Sequence, residues 1–516
     1  MPRRRLLAVA LLTSLAVVVA ACAAPAPQQN AAEHSNHLRF VTVYPANTVD
    51  AHRVHTAFIL NSGTVETLVG LDHETLEVYP WLAEKWETDD AEHWTFTIRD
   101  GVTFHNGKPL TAAAVKASLE RSIDVNPGVK TALRVASMKA TGDRTLSITT
   151  DGVYPSLISG LVHFNTVITD VTESAERPPV GTGAFAFESF DPAGAAELVR
   201  NTGYWDGQAK LERVTMTANQ DANARLLALQ AGEADVIYRP SIESLNTITQ
   251  DENLVAEAVP GTRVYHLLYN YAGANRDLWN NVEFRRGIDA LVDRDGIAAN
   301  VMGGQAKVAY NPFTGDFPFS PPADATAHTF GSEAALQHFA AAGLTVSDGK
   351  VTRDGKPIAL RLATYVARPE LPLIAQVVQD AAKKVGLEVE IHVADNIDEF
   401  LPAGDWDLAT YSLLTISRGD GGYFMNSAFG IDAAQNHGKL ADAQVTALIE
   451  KFNAEVDAGK RTAIARQFAE LVEDQAFNCY LTIPFETVAY RKGVQGWVTP
   501  GNEFEYQMVT KDLALG

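Results

Sequence analysis

The chain has 516 residues, 46% apolar, 20% charged and 9% aromatic, the profile of a folded globular protein with room for two or three domains. Its 63 acidic residues against 42 basic ones leave a formal charge of −21, which argues against a phosphate-binding, nucleic-acid surface. Two cysteines, Cys22 and Cys479, are too few for a disulfide framework or a cysteine-rich metal centre.

Residues 1–21 read as an export signal. Arg3, Arg4 and Arg5 form a positive region, and the apolar stretch after them is short for a spanning helix. The stretch ends in Val19-Ala20-Ala21-Cys22, which resembles the lipobox of bacterial lipoproteins. That resemblance implies cleavage before Cys22 and lipidation of its thiol; the alternative is an ordinary signal peptide with a chance cysteine. Residues 22–36 form a polar tether containing Pro25 and Pro27. With Cys22 lipidated, Cys479 has no partner and reads as a buried apolar thiol.

From residue 38 the pattern is mixed α/β. A strand is expected at 38–44, a helix at 57–69 and a half-buried strand at 94–98. His105-Asn106-Gly107-Lys108 predicts a tight turn, and Thr111 the N-cap of a helix to about 122. Short strands are expected near Leu146, Phe185 and Val214, then a helix over 224–229 that stops at Gly232, and a strand at 235–238. Farther on, helices at 284–291, 332–342, 373–385, 441–456 and 461–474 alternate with strands at 359–364, 388–393 and 407–411. That alternation predicts a βαβ lobe.

The chain holds no phosphate loop, dinucleotide fingerprint, His-Glu-x-x-His, nucleophile elbow or EF-hand spacing. An exported hydrolase, the main alternative class, is weakened by these absences.

Four segments carry a family resemblance. They are Pro179-Val180-Gly181-Thr182-Gly183-Ala184-Phe185, then Arg200-Asn201-Thr202-Gly203-Tyr204-Trp205, then Asp221 to Asp235 with its Ala-Leu-Gln-Ala-Gly-Glu core, and upstream Pro80-Trp81-Leu82 running on to Asn106-Gly107. In this order the chain is similar to the extracytoplasmic solute-binding proteins of dipeptide, oligopeptide and nickel ABC importers. It departs at Ala184, where the family usually has proline. Trp81, Trp86, Trp94 and Trp205 read as packing residues, so the family is marked by its scaffold rather than by its ligand site.

The resemblance implies an α/β, two-lobed periplasmic-binding-protein-like fold with a hinge of two crossing strands and an extra subdomain in the N-terminal lobe. The expected lobes are 37–263 with 486–516, and 264–485, with crossings near Val264 to Asn270 and Tyr480 to Pro484. Such a protein closes on a ligand and docks on an ABC permease with its ATPase. It would be a non-enzymatic monomer without a resident cofactor, tethered to the outer face of the cell membrane.

Within the family, the segments from Arg368 to Leu373 and from Ser417 to Asn426 resemble the nickel and metallophore branch, in which a transition metal is carried inside a small polycarboxylate chelator. Arg418 follows an apolar strand, on what reads as a solvated loop, and its guanidinium suits a carboxylate. Tyr423 and Asn426 are companion candidates. Further candidates are Arg53, Lys130 and Arg134, together with His52 and His55 as direct metal ligands. Where nickel-binding members carry an arginine, this chain has Phe164, beside His163. A di- or oligopeptide is the alternative ligand, and presentation of a ligand to a sensor the alternative role.

Overall fold

The computed structural model describes residues 36–53, 57–193, 195–313, 317–321, 328–416, 418–502 and 504–516. Cys22, His55, the signal segment and nearly all of the tether lie outside the described residues.

One twelve-stranded sheet runs through the molecule. On one side, Ile358–Tyr365 lies parallel to Leu387–Ala394 and to Leu408–Leu414, and the last of these pairs antiparallel with Arg263–Tyr269. On the other side, His37–Thr42 lies between Arg213–Ala218 and Val236–Tyr238, parallel to both. Ala195–Arg200 and Phe185–Asp191 extend that edge.

The two sides are joined by the long strand Cys479–Arg491. Its first half pairs with Arg263–Tyr269 and its second half with Val236–Tyr238 and Leu254–Pro260. Leu254–Pro260 and Arg263–Tyr269 are separated by only Gly261 and Thr262, so two antiparallel stretches of chain cross from one lobe to the other side by side. The fold is thus two α/β lobes on a crossing ribbon. A separate antiparallel sheet, Ala83–Glu87, His93–Ile98, Thr145–Thr150 and Val135–Thr141, carries the helices Ala112–Val125 and Pro127–Leu133 as an additional layer on the N-terminal lobe.

Most local expectations hold. Thr111 accepts a hydrogen bond from the Ala114 N–H as an N-cap, and the helix Ala222–Ala231 ends on Gly232 at φ 73°. Cys479 is fully buried.

Two expectations fail. The helix expected over 57–69 stops at Asn61, because Gly63 turns left-handed at φ 70° and a Cβ there would strike the Val509 carbonyl. Val65 and Leu68 are buried in extended chain instead, alongside the Gly181–Gly183 segment, whose Gly183 N–H bonds to the Thr64 carbonyl at 3.1 Å. Their apolar spacing suits a helix, but the left-handed glycine overrides it. Tyr423 and Asn426 lie in a helix, Gly422–Phe429, not a loop.

Candidate ligand-binding site

In each lobe the parallel strands end at the junction. Tyr365 and Leu414 close two strands of the second lobe, and the chain beyond them supplies Arg368 and Arg418; Thr42 and Tyr238 close strands of the first. Crevices at the carboxyl ends of parallel strands are where α/β proteins hold ligands.

Arg418 is buried at this junction, not solvated as its loop position suggested. Its side chain is 7% exposed, and its Nε lies 3.5 Å from Oε1 of Glu505, itself 1% exposed. The guanidinium stacks on the Tyr423 ring, 3.8 Å from the centroid, a cation–π contact that strengthens on desolvation. Glu505 belongs to the C-terminal segment. Its N–H donates to the Asn502 side chain, and Asn502 in turn donates to Thr262 Oγ1 at the crossing. The ion pair therefore spans the lobes. Two more contacts do so nearby: Arg461 donates to Ser156 Oγ at 2.8 Å, and a Cβ on Gly419 would stand 2.7 Å from the Leu76 carbonyl.

More basic groups converge here than the sequence singled out. Arg263, at the start of its strand, donates to Ser412 Oγ at 3.0 Å and lies 6.0 Å from the Phe504 ring. Arg368 is buried after Ile358–Tyr365. Burial pushes the Tyr365 phenol up, while the Arg368 and Arg263 cations oppose that shift. Tyr265 donates to Glu370 at 3.2 Å. Arg263, Arg368 and Arg418 are thus gathered near Glu370 and Glu505. Arg263 reads as strand filler in an apolar run, so pattern gave no signal for it. Arg368 lay in a segment already singled out, and its position just after a parallel strand was the signal available.

The remaining candidates disperse. Asn426 exchanges amide hydrogen bonds with Asn453 at 2.8 and 3.0 Å and donates to the Gly422 carbonyl, tying two helices of one lobe. Arg134 ends the helix Pro127–Leu133 in a left-handed conformation. It donates to the Asp151 carbonyl at 2.8 Å and lies 5.0 Å from the Tyr154 ring. Lys130 is exposed. Arg53 is 60% exposed and lies 3.3 Å from Asp50.

His52 is a buried structural residue. Its Nδ1 accepts from Arg121 at 2.8 Å and its Nε2 meets the Val167 carbonyl at 2.9 Å, so neither nitrogen is open to a metal in this arrangement. Burial pushes its pKa down to about 4, which keeps it neutral. Among the described residues no cluster of three or more His, Cys, Asp or Glu is arranged to hold a metal ion.

The motif residues have a different centre. Glu66 is fully buried and accepts from Thr182 Oγ1 at 2.6 Å, Tyr204 Oη at 2.7 Å and Trp205 Nε1 at 3.1 Å. Two motif segments, at Thr182 and at Tyr204-Trp205, are thereby fastened to one carboxylate far upstream in the sequence.

Two lobes on a crossing ribbon, with charged groups gathered where the strands end, are the architecture of a two-lobed solute-binding protein. The chain belongs to the bacterial extracellular solute-binding proteins, family 5, whose profile matches residues 77–436. It is 33% identical over 407 residues to the nickel-binding protein NikA of Staphylococcus aureus, covering 78% of this chain and 80% of that one. The probable D,D-dipeptide-binding protein DdpA of Escherichia coli is 26% identical over 478 residues, 89% of each chain. In structure, the nickel ABC transporter protein of Bacillus halodurans superposes with a TM-score of 0.81 at 40% identity, over 93% of this chain and all of that one. NikA of S. aureus in complex with Ni(L-His)2 superposes with a TM-score of 0.78 at 28% identity over the same shares. Members of this family are binding components of ABC importers that work outside the cytoplasm with a permease and ATPase, and this chain is such a component, not an enzyme. Among the described residues no helix is long and apolar enough to cross a membrane.

Proposed function

We propose that this protein captures a transition metal already wrapped in a small anionic chelator, a nickel–histidine or nickel–polycarboxylate complex, and hands it to its permease. The observation that carries the reading is Arg418, buried between the lobes, stacked on Tyr423 and 3.5 Å from Glu505 of the C-terminal segment. With Arg263 and Arg368 nearby it supplies buried guanidinium groups whose planar donors fit the carboxylates of a chelator. The nickel-binding relatives support the same ligand class. Closure would bury the chelate and present both lobes to the permease.

The lobes divide at 263/264 and 485/486 in this reading, within a few residues of where strand pairing changes sides, between Pro260 and Arg263 and between Pro484 and Phe485. A lipid on Cys22 would hold the monomer beside its permease and raise its effective concentration there. A di- or oligopeptide is the second reading, favoured by the DdpA likeness, since its terminal carboxylate also suits Arg418.

Native mass spectrometry with metal analysis of the protein taken from its own membrane should find nickel together with an organic chelator. Calorimetry should show nickel plus L-histidine binding far more tightly than nickel chloride or trialanine. Tight trialanine binding with no response to nickel–histidine would transfer the assignment to peptides.

A further inference from the structure

His163 stands in the junction without having been a candidate. It precedes the short turn Phe164–Thr166, and its Nδ1 accepts a hydrogen bond from the Asn165 backbone N–H at 3.1 Å. A backbone N–H can only donate, so Nδ1 must present its lone pair and the proton of the neutral ring sits on Nε2. The ring is held in place by stacking on Phe164, 4.3 Å between centroids, and Phe164 stacks on Phe504 at 5.6 Å. Phe504 adjoins Glu505, the partner of Arg418. Nε2 has no hydrogen-bond partner among the described residues, and the ring is half-buried, as expected for a group lining the junction. Burial first, and then the Arg418 cation, hold its pKa well below the ordinary histidine range, so the ring stays neutral with this tautomer fixed.

We propose that His163 is a hydrogen-bond donor, through Nε2–H, to the carboxylate or carbonyl oxygen of the solute held beside Arg418, and that it is not a metal ligand. The inference rests on the reading of the junction as an anion site. A histidine that coordinates a metal through Nε2 ordinarily donates its Nδ1–H to a carbonyl or carboxylate. Here that hydrogen bond runs the opposite way, so coordination would require breaking the Asn165 contact. His163 would therefore select for acceptor oxygens on the solute and against an unchelated ion.

Two measurements test this. In the ligand-free protein with 15N-labelled histidine, long-range 1H–15N correlation should assign His163 the Nε2–H tautomer. A protonated Nδ1 would overturn the inference whatever the protein carries. His163→Asn keeps an acceptor for the Asn165 N–H and removes the Nε2 donor. It should weaken binding of nickel plus L-histidine at least about tenfold, the loss expected for one hydrogen bond to a charged acceptor. Weak binding of nickel chloride should not change. Wild-type affinity of His163→Asn for nickel–histidine, alongside a weakened Arg418→Ala, would remove His163 from the site and leave the site reading standing. Tight nickel chloride binding lost in His163→Asn would make it a metal ligand and overturn the inference. If the wild type ignores nickel–histidine and binds trialanine, the ligand assignment fails while the donor role is decided by the same variant against trialanine.

Discussion

Arg461 reaches across the lobe junction to Ser156, donating to its hydroxyl at 2.8 Å while the same nitrogen holds Asp420 at 2.7 Å. Its other terminal nitrogen donates to the Phe452 carbonyl at 2.8 Å, and the guanidinium lies over the Phe452 ring at 3.9 Å. Those contacts stay within one lobe, so of the Arg461 contacts opening breaks only the bond to Ser156. Ser156→Ala should speed ligand release about tenfold and leave association unchanged, because a charged hydrogen bond of about 1.5 kcal/mol is present only when closed. Stopped-flow fluorescence with nickel–histidine reads both rates. An unchanged release rate would show that the bond does not govern opening.

Arg418→Ala should weaken binding of nickel–histidine by about 1.5–3 kcal/mol, the range for a hydrogen bond to a charged group. The ligand-free protein should also become less stable, because a buried carboxylate, Glu505, loses a cationic neighbour and Tyr423 loses its stacking partner. Arg418→Lys should recover little, since an ammonium matches neither the planar stack nor a two-point carboxylate contact. Calorimetry and urea denaturation on the three proteins check both halves.

Glu66 gives the fold a pH dependence. Burial raises its carboxyl from the ordinary 4.5 to about 7, against the pull of its Thr182, Tyr204, Trp205 and Trp81 hydrogen bonds. Between those values the folded chain keeps a proton that the unfolded chain has released. The stability contributed by the neutral carboxyl is complete below pH 4.5 and is lost as pH rises through 7. Glu66→Gln cannot ionise, so its stability relative to wild type should climb across that window by at most about 3 kcal/mol. Urea denaturation at pH 5 and pH 8 tests the sign, and a constant difference between the two proteins would refute it.

Cys22→Ala should release the protein from the membrane fraction, and globomycin should leave the wild type as an unprocessed precursor. Membrane retention of the variant would point to another anchor.

The sequence was most legible where a pattern is local. The Thr111 cap, the Gly232 stop and the alternation of strands and helices around Leu408–Leu414 all follow from near neighbours. The site was legible only in part. Arg418 and Tyr423 share one segment and do meet, but Glu505 comes from a distant stretch and Arg263 is hidden in an apolar strand. His52 and His55 look like a metal pair by spacing alone. What decides His52 is the direction of its hydrogen bonds to Arg121 and Val167, residues far away in the chain. The motif tryptophans were read as packing, and Trp205 does more: it also donates to Glu66.

The N-terminal lobe is built from both ends of the chain. Val236–Tyr238 needs Cys479–Arg491 as a sheet neighbour, the Asn61 carbonyl accepts from the Met508 N–H at 3.0 Å, and Val509 and Leu513 fill the core beside Phe40 and Leu38. The second lobe lies between these parts in sequence, and its strands pair among themselves. For a chain threaded across a membrane from its N-terminus, the order of assembly is then inverted: the lobe that emerges second is the first to be complete. The lobe that emerges first must wait, its sheet edge open, until the last residues arrive to close it.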